Sequence, residues 1–137
     1  MTTKHRVVVD ASIWVAAFYN KDIFYVESDK LLADFFSSRK NIVVPEIVFA
    51  EVAGALRRLT GDAGIAKKAI LNMKKFRLKV LDVDHETVGA LATDIAINYA
   101  IRGADACYLA VAQLTKSKLH TTDLQQKEAF EKISKSW

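Results

Sequence analysis

An α/β domain, with a short and mainly parallel sheet of four to five strands flanked by helices, is what this sequence predicts. Three observations carry that expectation. Short strand-like runs alternate with stretches of helical periodicity along the whole chain. Hairpin signals are almost absent, so consecutive strands are joined by helices and lie parallel. The first run, Arg6 to Val9, is wholly apolar after its first residue, the pattern of a strand buried on both faces. At 137 residues, 51% of them hydrophobic, the chain suffices for a single domain over residues 1–137 that buries about two-thirds of its unfolded surface. No repeat, low-complexity tract or linker marks a second one.

Taken in order, Arg6–Val9 ends at Asp10, and ASIWVAAFYN follows with helical spacing. Residues 27–40 form a second helix with Leu31, Leu32, Phe35 and Phe36 as its apolar stripe. Ile42 to Val44 is the next strand. Pro45 suits a first helical turn, and EIVFAEVAGALRRL continues that helix until Gly61. Another amphipathic helix runs from Asp62 to Phe76, then Leu78 to Val83 alternates as a third strand. Residues 85–101 make a long helix stopped by Gly103, and the helix of Asp105 follows. Lys118 to Thr122 is a brief strand, and DLQQKEAFEKIS a final helix.

Ligands of parallel sheets sit beyond the carboxyl ends of the strands. Asp10 and Asp123 fall at such ends, and Glu51 lies about 9 Å along the helix that leaves the second strand. Asp105 opens the helix before the last strand. Singly, each acid has a bland reading. Asp10 suits an N-cap, and Asp123 with Gln126 has capping-box spacing. Asp105, the one charged residue of GADACYLAVAQL, is alone better read as a cap than as a metal ligand. Glu51 has no such role, being the sole ionisable group from Ile47 to Leu56 in mid-helix. Four carboxylates gathered at one sheet edge repel one another unless a cation joins them. Oxygen donors with no Cys or His cluster suit Mg²⁺ or Mn²⁺. The net charge of +4 is uneven, with eight basic residues from Arg57 to Lys79 against Asp62 alone. That run is a candidate polyanion footprint or a solvated helix face. An acidic pocket on a basic chain is what a metal-dependent nuclease needs.

VVVDASIWVAAF, PEIVFAEVAGALRR, GADACYLAVAQL and LHTTD, in this order and spacing, resemble the PIN-domain ribonucleases, and especially the VapC-type toxins of toxin–antitoxin pairs. The resemblance covers nearly the whole chain and implies a PIN-like three-layer fold. It places Asp10, Glu51 and Asp105 at the family's metal-ligand positions and Asp123 at the more variable fourth acid. Ser12 and Thr121 match hydroxyl positions that hold those carboxylates in place. It implies Mg²⁺- or Mn²⁺-dependent endonucleolytic cleavage of RNA leaving a 3′-hydroxyl and a 5′-phosphate, a homodimer, and a small antitoxin that covers the site. One departure stands out: KISKSW offers little from which to build the short last strand of many family members.

Other residues have plainer readings. His5, His85 and His120 show no metal-ligand spacing. Trp14, Phe18 and Tyr19 suit packing, and Cys107 suits a core filler. Arg102 stands ready to touch phosphate or pair with an acid, Glu46 suits a first helical turn, and Asp94 suits solvent. A haloacid-dehalogenase-type phosphotransferase needs a second acid where Ser12 stands. A receiver domain needs adjacent early acids. Dinucleotide binding lacks its glycine pattern. The remaining alternative is a catalytically inactive PIN-like RNA-binding or scaffold protein. With no apolar run of spanning length and no signal-peptide core, a cytoplasmic protein with no membrane contact is expected.

Overall fold

In a computed structural model, which describes residues 6–84 and 87–137, the chain forms the predicted sheet with helices around it. The elements are β1 (Arg6–Val9), α1 (Ala11–Phe18), α2 (Tyr25–Ser37), β2 (Asn41–Pro45), α3 (Ile47–Thr60), α4 (Ala63–Met73), β3 (Arg77–Leu81), α5 (Val88–Tyr99), α6 (Gly103–Thr115), β4 (Lys118–His120) and α7 (Leu124–Ser134). The strand order is β3-β2-β1-β4, and every pairing is parallel. Arg6, Asn41 and Arg77 share one row of the register, and Val9 lies level with His120. No further strand follows α7 among the described residues, so the sheet has four.

The central strands are apolar because they are covered on both sides: Val8, Val9, Ile42, Val43 and Val44 are fully buried. β3 lies at the sheet's edge, where Arg77 and Lys79 face solvent. Helix α6 packs across β1, β2 and β4, with α5 against it. Phe35 of α2 meets the His120 ring edge-on at 5.2 Å. Trp14 is fully buried and donates from Nε1 to the Val9 carbonyl at 3.3 Å, which fastens α1 to the end of β1. The turn from α3 to α4 uses Gly61 in the left-handed region (φ 71°), with Asp62 capping α4 through Gly64 N–H at 2.8 Å.

Several boundaries differ from expectation. Helix α2 stops at Ser37, because Arg39 turns the backbone left-handed (φ 54°) before β2. Gly103 opens α6 rather than closing α5, which ends instead at left-handed Ala100. β4 stops at His120, where the Thr121 hydroxyl turns to side chains rather than a ladder. The start of the predicted helix 85–101 lies outside the described residues, as do His5 and His85. No helix among the described residues is long and apolar enough to cross a membrane.

Candidate active site

The carboxyl ends of β1 and β4 lie side by side, and the groups just past them are tied together by side chains. Asp10 caps α1, its Oδ2 accepting from Ser12 N–H at 3.1 Å, yet it is only 4% exposed. Its charge is therefore met inside the protein. Thr121 Oγ1 lies 3.0 Å from Oδ2, and Gln126 Nε2 donates to Oδ1 at 3.4 Å. The single Thr121 hydroxyl proton has two acceptors in reach, because Gln126 Oε1 lies 2.7 Å away. Ser12 Oγ accepts from Thr122 N–H at 3.0 Å and stands 3.3 Å from Thr121 Oγ1.

Asp123 caps α7 by accepting from Gln126 N–H at 3.1 Å, as its spacing predicts. The reciprocal half of the capping box is missing. Gln126 turns its side chain inward to Asp10, Thr121 and the Asp105 carbonyl (3.2 Å), and Asp123 N–H donates to Thr121 Oγ1 at 3.0 Å. A fully buried amide thus joins the ends of β1 and β4 to the first turn of α6.

Glu51 lies in mid-α3 and makes no ion pair among the described residues. Its Oε1 accepts from the hydroxyl of Tyr108 at 2.6 Å. Tyr108 is buried on α6, and burial together with Glu51 keeps its phenol protonated far above the usual tyrosine range. Burial pushes the Glu51 carboxyl pKa up. The Tyr108 bond opposes that rise, and the charges of Asp10 and Asp105 add to it. Asp105 corrects one expectation, because it is not a cap. The cap position is held by Arg102, whose side chain does no capping, and Asp105 is the third residue of α6. Arg102 Nε and Nη2 bond its Oδ2 at 3.1 and 3.0 Å, and Nη2 stands 3.8 Å from Asp123. Burial still raises the Asp105 pKa, against the opposing effect of Arg102.

Asp10, Ser12, Glu51, Asp105 and Asp123 line one pocket of about 570 Å³, together with Asp22, Arg58 and Arg102. Thr121 sits behind it, bonded to Asp10. No Cys or His among the described residues lines it. Among the described residues no three His, Cys, Asp or Glu side chains form a ready cage for a metal. The carboxylates stand around the pocket, with Arg102 reaching over two of them. Such a donor set fits a hard divalent ion that keeps part of its water shell and takes few carboxylates. Asp10, Glu51, Asp105 and Asp123 are the residues that would hold it.

The residue pattern assigns no site role to Tyr108, Gln126, Arg58 or Asp22, Gln126 reading only as a capping-box partner and Arg58 only as part of the basic run. The first two left a signal. Tyr108 follows Asp105 by three positions, hence on one helix face. Gln126 takes a core position in the buried 126, 129, 133 series of α7. Asp94 is exposed as expected, whereas Glu46 is exposed at the cap position before α3, makes no capping bond, and is not in the helix's first turn. Cys107 is half-buried against the core, and burial raises its thiol pKa.

A family profile described as PIN domain matches residues 7–132. No curated protein matches the chain by sequence. Among solved structures, Mycobacterium tuberculosis VapC20, described as a sarcin–ricin loop cleaving toxin, superposes with a TM-score of 0.75 at 19% identity, covering 90% of this chain and 94% of that one. PAE2754 from Pyrobaculum aerophilum gives 0.67 at 19% identity, over 96% and 88%. VapBC2 from Rickettsia felis, bound to a DNA fragment from their promoter, gives 0.64 at 17% identity, over 90% and 92%. At these identities the likeness is one of fold.

Proposed function

The chain belongs to the PIN-domain family, and from that premise we propose that it is a metal-dependent endoribonuclease, the VapC-type toxin of a toxin–antitoxin pair. The observation that carries this reading is the state of Glu51. A mid-helix glutamate faces Asp10 and Asp105 with a tyrosine hydroxyl as its partner, and its pKa is raised by burial and by those neighbours. A structural carboxylate gains nothing from such company, whereas a metal ligand does.

In this reading Asp10, Glu51, Asp105 and Asp123 hold Mg²⁺ or Mn²⁺. Bound there, the ion would polarise the substrate's phosphodiester and lower the pKa of a bound water so that it could give up a proton and attack. The protein does the rest. Thr121, Ser12 and Gln126 fix the Asp10 carboxylate and the 121–123 turn, so Asp10 and Asp123 keep their spacing. Tyr108 holds its proton and sets the angle of Glu51. Arg58 and Arg102 at the pocket wall offer guanidinium donors to the RNA backbone. Superposition on VapC20, described as a sarcin–ricin loop cleaving toxin, supports a nucleic-acid-cleaving toxin, and superposition on VapBC2 supports an antitoxin partner. A homodimer and a cytoplasmic location complete the reading.

The test is cleavage of structured and unstructured RNA by the purified protein with Mg²⁺ or Mn²⁺, then with EDTA. Asp10→Asn and Asp105→Asn each remove cuts by more than about a hundredfold, beyond the 10–100-fold typical of outer positions, and leave the fold intact by circular dichroism. Cleavage that survives both substitutions and the chelator refutes the assignment. RNA retained without cuts in any metal identifies a binding protein instead. Light scattering reads the dimer, and co-purification with the product of a neighbouring small reading frame reads the antitoxin.

A further inference from the structure

The basic residues between Arg57 and Lys79 do not share a face. Arg58 reaches the acidic pocket, whereas Arg77 and Lys79 stand exposed on the edge strand β3. Because all four strands are parallel, their first residues lie at the end of the sheet away from that pocket. From Arg6 to Asp10 is four residues, about 13 Å at ~3.3 Å each. Two adjoining grooves meet at that far end, with Arg77 lining both. One, of about 450 Å³, contains Arg6, Arg77 and Lys79. The other, of about 300 Å³, contains Arg39, Lys75 and Arg77 beside Phe36 and Phe76. Among the described residues no acid lines either groove.

Helix ends explain part of this. Cations are favoured at helix C-termini, but only within about a turn, which accounts for Arg39 and Lys40 after α2. Arg6, Arg77 and Lys79 sit on strands, where that attraction does not reach. Arg6 Nε is enclosed and has no hydrogen-bond acceptor among the described residues. Phe36 is 53% exposed and held edge-on by Phe76 at 5.3 Å between ring centres. Crowded guanidinium and ammonium groups beside a fixed, exposed aromatic ring match the recognition of single-stranded nucleic acid, with phosphates on the cations and a base on the ring.

We propose that the strand-entry end of the sheet is a second RNA contact. It holds single-stranded RNA remote from the scissile bond, with phosphates on Arg6, Arg39, Lys75, Arg77 and Lys79 and a base against Phe36. Its ligand identity rests on the nuclease reading; the contact itself is read by binding alone. The experiment pairs Arg77→Gln with Lys79→Gln and measures affinity for a long single-stranded RNA against salt. In parallel it measures cleavage of a short oligonucleotide that spans only the scissile bond and its neighbours. The expected result is several-fold weaker binding of the long RNA, a salt slope shallower by about 1.4 (about 0.7 per phosphate contact), and unchanged cleavage of the short one. Unchanged affinity and slope overturn the proposal. An equal loss on duplex DNA also overturns it, by making the face an unselective polyanion patch. Arg39→Gln with Lys75→Gln, from the other groove, repeats the measurement and decides the matter if the first pair misfolds. Absence of metal-dependent cleavage in every form, with the slope change intact, removes the nuclease reading and leaves the RNA contact standing.

Discussion

The two ends of the sheet treat charge in opposite ways. Where the strands finish, carboxylates are drawn inward and fastened: Asp10 to Ser12, Thr121 and Gln126, Glu51 to Tyr108, Asp105 to Arg102. Where they begin, Arg39, Lys75, Arg77 and Lys79 are exposed, and among the described residues no carboxylate lines their grooves. Buried like charges weaken a fold, and exposed ones are screened by water and salt. The first end therefore gives up stability to hold an arrangement the fold does not need, and the second does so at little cost. That asymmetry separates a site built for geometry from one built for field.

The largest test of the contrast is Gln126→Leu. It strands the Thr121 hydroxyl and an Asp10 oxygen without their amide partner, so stability falls by about 1–3 kcal/mol in denaturant melts. Metal affinity, read by calorimetry, falls about 10–100-fold. An unaffected variant would mean that the carboxylate end is no more tightly tied than the basic end. Next comes Glu51→Gln. The folded-state pKa of Glu51 lies above its unfolded value of 4.5, so its contribution to stability is fully present below that value and is lost as pH rises through the folded pKa. The substitution raises the melting temperature of the metal-free protein by a few degrees at pH 7 and not at pH 4, while cleavage is lost.

His120→Phe is a smaller effect of opposite sign. Burial, with Lys118 and Lys40, lowers the His120 pKa from 6.5 to about 4. Its stabilisation is present above 6.5 and is lost as pH falls toward 4, because the unfolded chain takes up the proton first. The phenylalanine variant keeps the ring contact with Phe35 and melts with a flatter pH dependence across that window. Smallest of all is Arg77→Gln, expected within about 0.5 kcal/mol of the parent in denaturant melts. A larger loss would show that the basic end is structural.

Much of this was legible from residue order. Strands alternating with helices announced the parallel sheet, and a parallel sheet sends Asp10 and Asp123 to one edge. The helix after the second strand carried Glu51 there too, although Pro45, expected in its first turn, is the last residue of β2. What periodicity did not show were contacts between residues far apart in sequence. Asp105 looked like a cap for a different, local reason: the helix begins two residues earlier than its apolar pattern suggests, and Arg102, three positions before it, claims its carboxylate. Gln126 fitted a capping box on local grounds until Asp10, 116 positions away, offered its side chain a better partner. The division of the basic run between two ends was likewise invisible, because it depends on the hairpin of α3 and α4 and not on composition. Ala100 and Arg39 closed helices in the left-handed region without the glycine that usually advertises such a stop.

The bonds from Asp10 to Thr121 and Gln126 span 111 and 116 residues. A ribosome making this chain delivers the first carboxylate long before the hydroxyl and amide that fix it exist. Throughout that interval the nascent polypeptide carries only fragments of the pocket. A contact of such sequence separation carries a large loop-closure cost, so the pocket is assembled only once α7 brings Gln126 to the end of β1.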